Sequence, residues 1–163
     1  MPGLTAANGS VLAEAASVCL EDQSHHTGVI VVVDGSQADN LTLTWDAVTD
    51  QQRRTYADLQ EATEWGACGI GIIAVCKQTG QVVVERSRKG TGFDYWFGEE
   101  DDDLFQNKTR FESSGILNGD GSVIGTRVKQ KLEQVKASSH TGTPAYVSVV
   151  EFSGPRARVV IGK

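Results

Sequence analysis

Two sets of side chains in this 163-residue chain could do chemistry. The first sits on two short segments that alternate like strands. In GTGFDYWFG, alternation is expected to put Phe93, Tyr95 and Phe97 on one face and Asp94 and Trp96 on the other. In RFESSG it is expected to put Arg110, Glu112 and Ser114 together, with Phe111 and Ser113 opposite. Laid side by side, the segments would gather two carboxylates and a hydroxyl on one surface. The second set lies on a later helix. Arg127, Gln130, Lys131 and Gln134 follow i, i+3, i+4, i+7 spacing and share a face. Cationic and amide groups on one face suit nucleic-acid phosphate contacts. Arg86, Arg88 and Lys89 add a basic run that could extend the same groove.

Each feature also has an ordinary explanation. Asp94 and Glu112 could form a surface pair or an ion pair with Arg110. The helix face could simply be solvated, as could Glu61 and Glu64 in LQEATEW. Trp65, Trp96 and Phe97 fit a core, although Trp96, sharing a face with Asp94, could touch a base. Cys19, Cys68 and Cys76 form no CxxC pair, the pattern of a reducing, cytoplasmic compartment, and Cys68 and Cys76 read as core thiols. His25-His26 has no evident third ligand.

The elements that must position these residues follow from periodicity. Residues 28–33, GVIVVV, and the alternating stretch 41–45 read as two strands able to pair as a hairpin. A long helix is expected over 49–77, capped by Thr49 or Asp50, with its second half buried all round. Glycines 66, 69 and 71 weaken that helix, so GIIAVC as a strand is the competing reading. Strands are expected over 82–86, 93–97 and 110–117. A helix capped by Ser122 follows, with Ile124, Val128, Leu132 and Val135 as its apolar stripe, stopping over 138–143. A strongly apolar strand over 145–152 comes next. Residues 158–161 read as a short edge strand.

The composition is that of one globular domain of 1–163, with residues 1–48 an N-terminal extension carrying the hairpin, 49–153 the core and 154–163 a C-terminal tail. MPGLTAANGS reads as frayed and lacks the basic start of a signal peptide. No apolar run is long enough for a membrane span. The net charge of −6 is the reverse of a non-specific nucleic-acid binder. Much of it comes from one block, Glu99, Glu100, Asp101, Asp102 and Asp103, which reads as a solvated loop or a contact for a basic protein partner.

From residue 50 onward the expected order is helix, three strands, helix, strand. That order, with Asp94 on the second strand of the core and Glu112 on the third, resembles the PD-(D/E)XK nuclease superfamily over roughly residues 50–153. The resemblance implies a mixed α/β (α+β) restriction-endonuclease-like αβββαβ core. It implies that Asp94 and Glu112, with Glu61 or Glu64 from the first helix, hold Mg²⁺ or Mn²⁺. Such an ion prefers oxygen ligands, polarises a scissile phosphate and lowers the pKa of bound water. One departure stands out: the family's Lys, two positions after the third-strand acid, is Ser114 here. Lys89, Lys131 or Arg127 could supply the missing charge.

The expected function is therefore metal-dependent cleavage of DNA, with Asp94, Glu112, Ser114, Lys89 and Lys131 as the catalytic set. Arg127, Gln130, Lys131 and Gln134 would contact nucleic acid. The alternative is a catalytically inactive accessory subunit on the same fold, binding protein or nucleic acid. Neither reading involves a membrane, and both leave a homodimer open.

Overall fold

The stretch that reads as frayed is the start of a helix. In the computed structural model, which describes residues 1–100, 109–136 and 142–162, α1 runs Ala6–Asp22. Thr5 caps it by accepting from the Asn8 N–H at 3.2 Å. Ala15, Val18, Cys19 and Leu20 recur on its buried side. Small and polar residues early in α1 hid this period.

Strands β1 (Val29–Gly35) and β2 (Asp39–Leu43) form the expected antiparallel hairpin. The single helix expected over 49–77 is two, α2 (Asp50–Thr55) and α3 (Leu59–Thr79). A capping box between Thr49 and Gln52 starts α2. Asp58 restarts the chain by accepting from the N–H groups of Gln60 and Glu61 at 3.0 and 3.3 Å. The segment GIIAVC is helical, which removes the competing strand reading. Its glycines answer close packing rather than flexibility. A Cβ on Gly66 would lie 2.8 Å from the Ala16 backbone, and one on Gly71 would lie 2.7 Å from Ser148 Oγ. Their propensity cost, about 1 kcal/mol each, is offset by letting α3 seat against both α1 and the sheet.

Next come β3 (Val82–Arg86), β4 (Tyr95–Gly98), β5 (Thr109–Ile116), α4 (Gly121–Lys136), β6 (Ala145–Glu151) and β7 (Arg156–Gly162). They complete a mixed seven-stranded sheet in the order β2-β1-β7-β6-β5-β4-β3. β3, β4 and β5 form an antiparallel meander, and α4 crosses over to bring β6 parallel to β5. β7 corrects the expectation of an edge strand in a tail. It lies between β6 and β1, with Ala157 and Val159 fully buried, and joins the N-terminal hairpin to the rest.

One core cluster joins α1 and α3 to one sheet face, and a second joins α4 to the other. The α4 stripe of Ile124, Val128, Leu132 and Val135 packs as expected, each side chain worth roughly 1.5–3 kcal/mol when fully buried. Its opening N–H groups at Ser122 and Val123 are taken by Asp120, not by Ser122, which lies inside the helix. Among the described residues no helix is long and apolar enough to cross a membrane. All three cysteines are free. Asp101, Asp102 and Asp103 of the acidic block, and the expected helix stop at 138–141, lie outside the described residues.

Candidate active site

The site exists because β4 is shorter than its neighbour. Among the described residues, Tyr95, Trp96 and Phe97 of β4 pair with β5, opposite Phe111, Arg110 and Thr109. Beyond Phe111 no strand among the described residues lies beside this edge of β5, and its N–H groups need other acceptors. Carboxylates supply them. Asp94 Oδ2 accepts from the Ser113 N–H at 2.8 Å and from Ser113 Oγ at 2.9 Å. Glu64 Oε2, reaching over from α3, accepts from the Gly115 N–H at 3.2 Å. The gap in the sheet opens a cleft of about 330 Å³ in which α1, α3, the strands and Lys131 of α4 all take part.

Asp94 lies just before the chain enters β4, so simple alternation misplaces it and its neighbour. Phe93 does not share a face with Tyr95 and Phe97. It packs under α4 against Trp96, edge to face at 4.6 Å. Asp94 instead binds Ser113, a residue expected on the opposite face from Glu112.

Glu112 is 3% exposed and points toward α4. Lys131 Nζ lies 2.5 Å from its Oε1, and Gln134 Nε2 donates to the same oxygen at 3.0 Å. Burial, then the nearby Asp94 charge, push its pKa up to about 7 against the pull of Lys131 and Gln134. The expected alternative of an ion pair with Arg110 does not form. Arg110 is buried and donates to the Val135 and Thr143 carbonyls, which ties the end of α4 to the sheet.

Both bonds to Glu112 fall on Oε1 and both to Asp94 fall on Oδ2. Each carboxylate thus keeps one oxygen without a donor among the described residues, while both side chains line the cleft. Among the described residues no three or more His, Cys, Asp or Glu side chains are grouped to hold a metal ion. Two carboxylates do fit Mg²⁺, which is usually held by one or two carboxylates and completed by waters and substrate phosphate.

The remaining expected residues divide. Ser114 accepts from Arg127 at 2.7 Å, and Arg127 also lies 3.8 Å from Glu64 Oε1. Of the three candidate cations, Lys131 therefore reaches Glu112 and Arg127 reaches Ser114. Lys89 is exposed and lines a wider opening beside Asp94 and Glu112. Glu61 is exposed and does not line the cleft, so Glu64 is the helix acid at the site. The α4 face is not a free phosphate surface, since Arg127, Lys131 and Gln134 turn inward. Gln130 stays exposed beside Ser122 and Thr126. His25 sits 3.1 Å from the Ser153 carbonyl, a loop contact.

Sequence reasoning missed Asn8, Val11 and Leu12, which α1 brings to the cleft, and placed Trp65 in the core although it is 41% exposed. The Thr5 cap and the Val11, Ala15, Val18 spacing were the available signals. Cys68, also in the cleft wall, is a buried thiol whose pKa burial pushes up to about 12, which leaves it unreactive. No protein-family model, curated protein or solved structure matches the chain.

Proposed function

We propose that this chain is a metal-dependent nuclease-like domain that hydrolyses phosphodiester bonds in DNA, built on a restriction-endonuclease-like αβββαβ core. The observation that carries the reading is the convergence of Asp94 from just before β4, Glu112 from β5 and Lys131 from α4 on one cleft at a break in the sheet. The order α3-β3-β4-β5-α4-β6, with β5 and β6 parallel, supports the same fold.

Asp94 and Glu112 would hold Mg²⁺ or Mn²⁺ through the oxygens that lack a donor among the described residues. When bound, such an ion supplies charge to the scissile phosphate and lowers the pKa of a coordinated water. Lys131 brings an ammonium group to Glu112 from the helix, which offsets the absence of a strand Lys at Ser114. Ser114 instead positions Arg127, whose guanidinium faces both it and Glu64. Burial of Glu112 keeps bulk water from screening these charges.

The test is cleavage of plasmid, single-stranded and branched DNA, and RNA, in Mg²⁺ or Mn²⁺, with Asp94→Asn and Glu112→Gln in parallel. Cutting by wild type alone supports the reading. Cutting unchanged in both variants defeats it. One observation favours a second reading, an inactive accessory subunit: Glu112 and Ser114 are already paired with Lys131 and Arg127. Calorimetry with Mn²⁺ separates the two, since the inactive subunit binds no Mn²⁺ through Asp94 and Glu112.

A further inference from the structure

The same cleft holds groups that phosphodiester chemistry does not require. Trp65 presents a 41% exposed indole on its α3 wall, and Val11, 37% exposed, faces the cleft from α1. The indole is braced. Tyr56, itself buried, meets it edge-on with centroids 6.4 Å apart and donates its hydroxyl proton to the Val11 carbonyl at 3.0 Å. One buried ring thus fixes both walls. On the strand side Arg86 lies over the Tyr95 ring at 5.4 Å, leaving a cation at the mouth.

Charge argues about what enters. A duplex is held by many phosphate contacts along a basic face. Here Arg127 and Lys131 are committed to Glu64 and Glu112, and the chain carries a net charge of −6. A cleft of about 330 Å³ is at the small end of ligand-binding cavities. Affinity must then come from stacking plus a few cations, which is how single strands are bound.

From these observations, and resting on the nuclease reading above, we propose that the α1–α3 cleft is a subsite for one unpaired nucleobase. The base stacks on Trp65 against Val11, with Arg86 at the flanking phosphate, so the substrate is single-stranded DNA or a frayed end rather than intact duplex.

The test uses the full chain carrying Asp94→Asn, which removes cutting and one cleft charge. Fluorescence anisotropy measures binding of a labelled oligothymidylate and of a blunt duplex of equal length. Single strand is expected to bind about tenfold or more tighter than duplex. Adding Trp65→Ala should cost roughly tenfold on the single strand and nothing on the duplex, while Trp65→Phe, which keeps a ring, should stay within about threefold. Melting temperatures confirm that each variant is folded. Equal or tighter duplex binding, or a folded Trp65→Ala protein with unchanged single-strand affinity, overturns the subsite. If wild type cuts duplex through Asp94 with no dependence on Trp65, the subsite falls and the nuclease reading stands. If nothing is cut but single-strand binding depends on Trp65, the nuclease reading falls and the subsite stands.

Discussion

Glu112 on β5 and Glu151 on the neighbouring β6 are buried alike, 3% and 2% exposed, yet their surroundings differ in kind. Glu151 is enclosed by the backbone. It accepts from the N–H groups of Gly119, Ser153 and Gly154 and from the Ser153 hydroxyl, using both oxygens. Those bonds tie the loop before α4 to the turn between β6 and β7. Glu112 is held through one oxygen by two long side chains, Lys131 and Gln134, and faces a cleft that also contains Asp94. Saturation by backbone donors marks a structural carboxylate. Partial pairing beside a second carboxylate is the pattern the proposed function needs.

Substitution at the two positions should separate these roles most sharply. On the proposed nuclease reading, Glu112→Gln is expected to reduce DNA cleavage about 10³-fold, the scale of losing one preorganised charge at a reacting centre. Its melting temperature should stay near wild type or rise. Glu151→Ala should do the reverse. It strands several buried donors at about 1–3 kcal/mol each, so a loss of about 3 kcal/mol and about 10 °C in melting temperature is expected. Cutting per folded molecule should be unchanged. Calorimetric melting and single-turnover cleavage on both variants check the pair, and a large stability loss in Glu112→Gln would erase the distinction.

Lys131→Met sharpens the comparison from the partner's side. Without the ammonium, Glu112 loses the main influence opposing burial and Asp94, and its carboxyl moves further toward the neutral form. Cleavage should fall about 10²-fold at neutral pH, with partial recovery in more alkaline buffer as Glu112 ionises. Arg127→Met, one turn away at Ser114, should cost less and show no such recovery. A pH–rate profile of the two variants distinguishes them.

How far the sequence led can be judged on these same residues. Periodicity located β3, β5, β6 and the α4 stripe, because those elements are regular and flanked by Gly, Asp and Pro. It put Asp94, Glu112 and Ser114 on neighbouring strands, while Lys131 was joined to them only through what the family resemblance implies. It erred where regularity stops. Asp94 and Phe93 lie just before β4 begins, so alternation assigned them faces they do not occupy. The α2–α3 break at Asp58 is set by a side-chain cap within a pattern otherwise helical on both sides. The placement of β7 inside the sheet depends on pairing with β1, more than a hundred residues away, which no local window contains. The basic face of α4 was visible as a pattern, but only the fold shows that Arg127 and Lys131 are spent on Ser114, Glu64 and Glu112.

The smallest predicted effect concerns pH, and its sign follows from the direction of the Glu112 shift. The folded-state pKa is about 7, above the ordinary value of 4.5. Below 4.5 both folded and unfolded chains hold the proton, and Glu112 contributes nothing. Between 4.5 and 7 the folded state keeps a proton that the unfolded state has lost, so stability falls as pH rises, and above 7 the penalty is complete. Between pH 5 and pH 8 this single group should lower stability by about 2 kcal/mol. Glu112→Gln removes a titrating group and should flatten that slope, leaving the variant more stable than wild type at pH 8 and nearly equal at pH 5. Urea titrations of both proteins at the two pH values measure the difference directly. Parallel slopes would mean that Lys131 holds Glu112 ionised throughout, making it a settled ion pair closer in character to Glu151 than to a group in waiting.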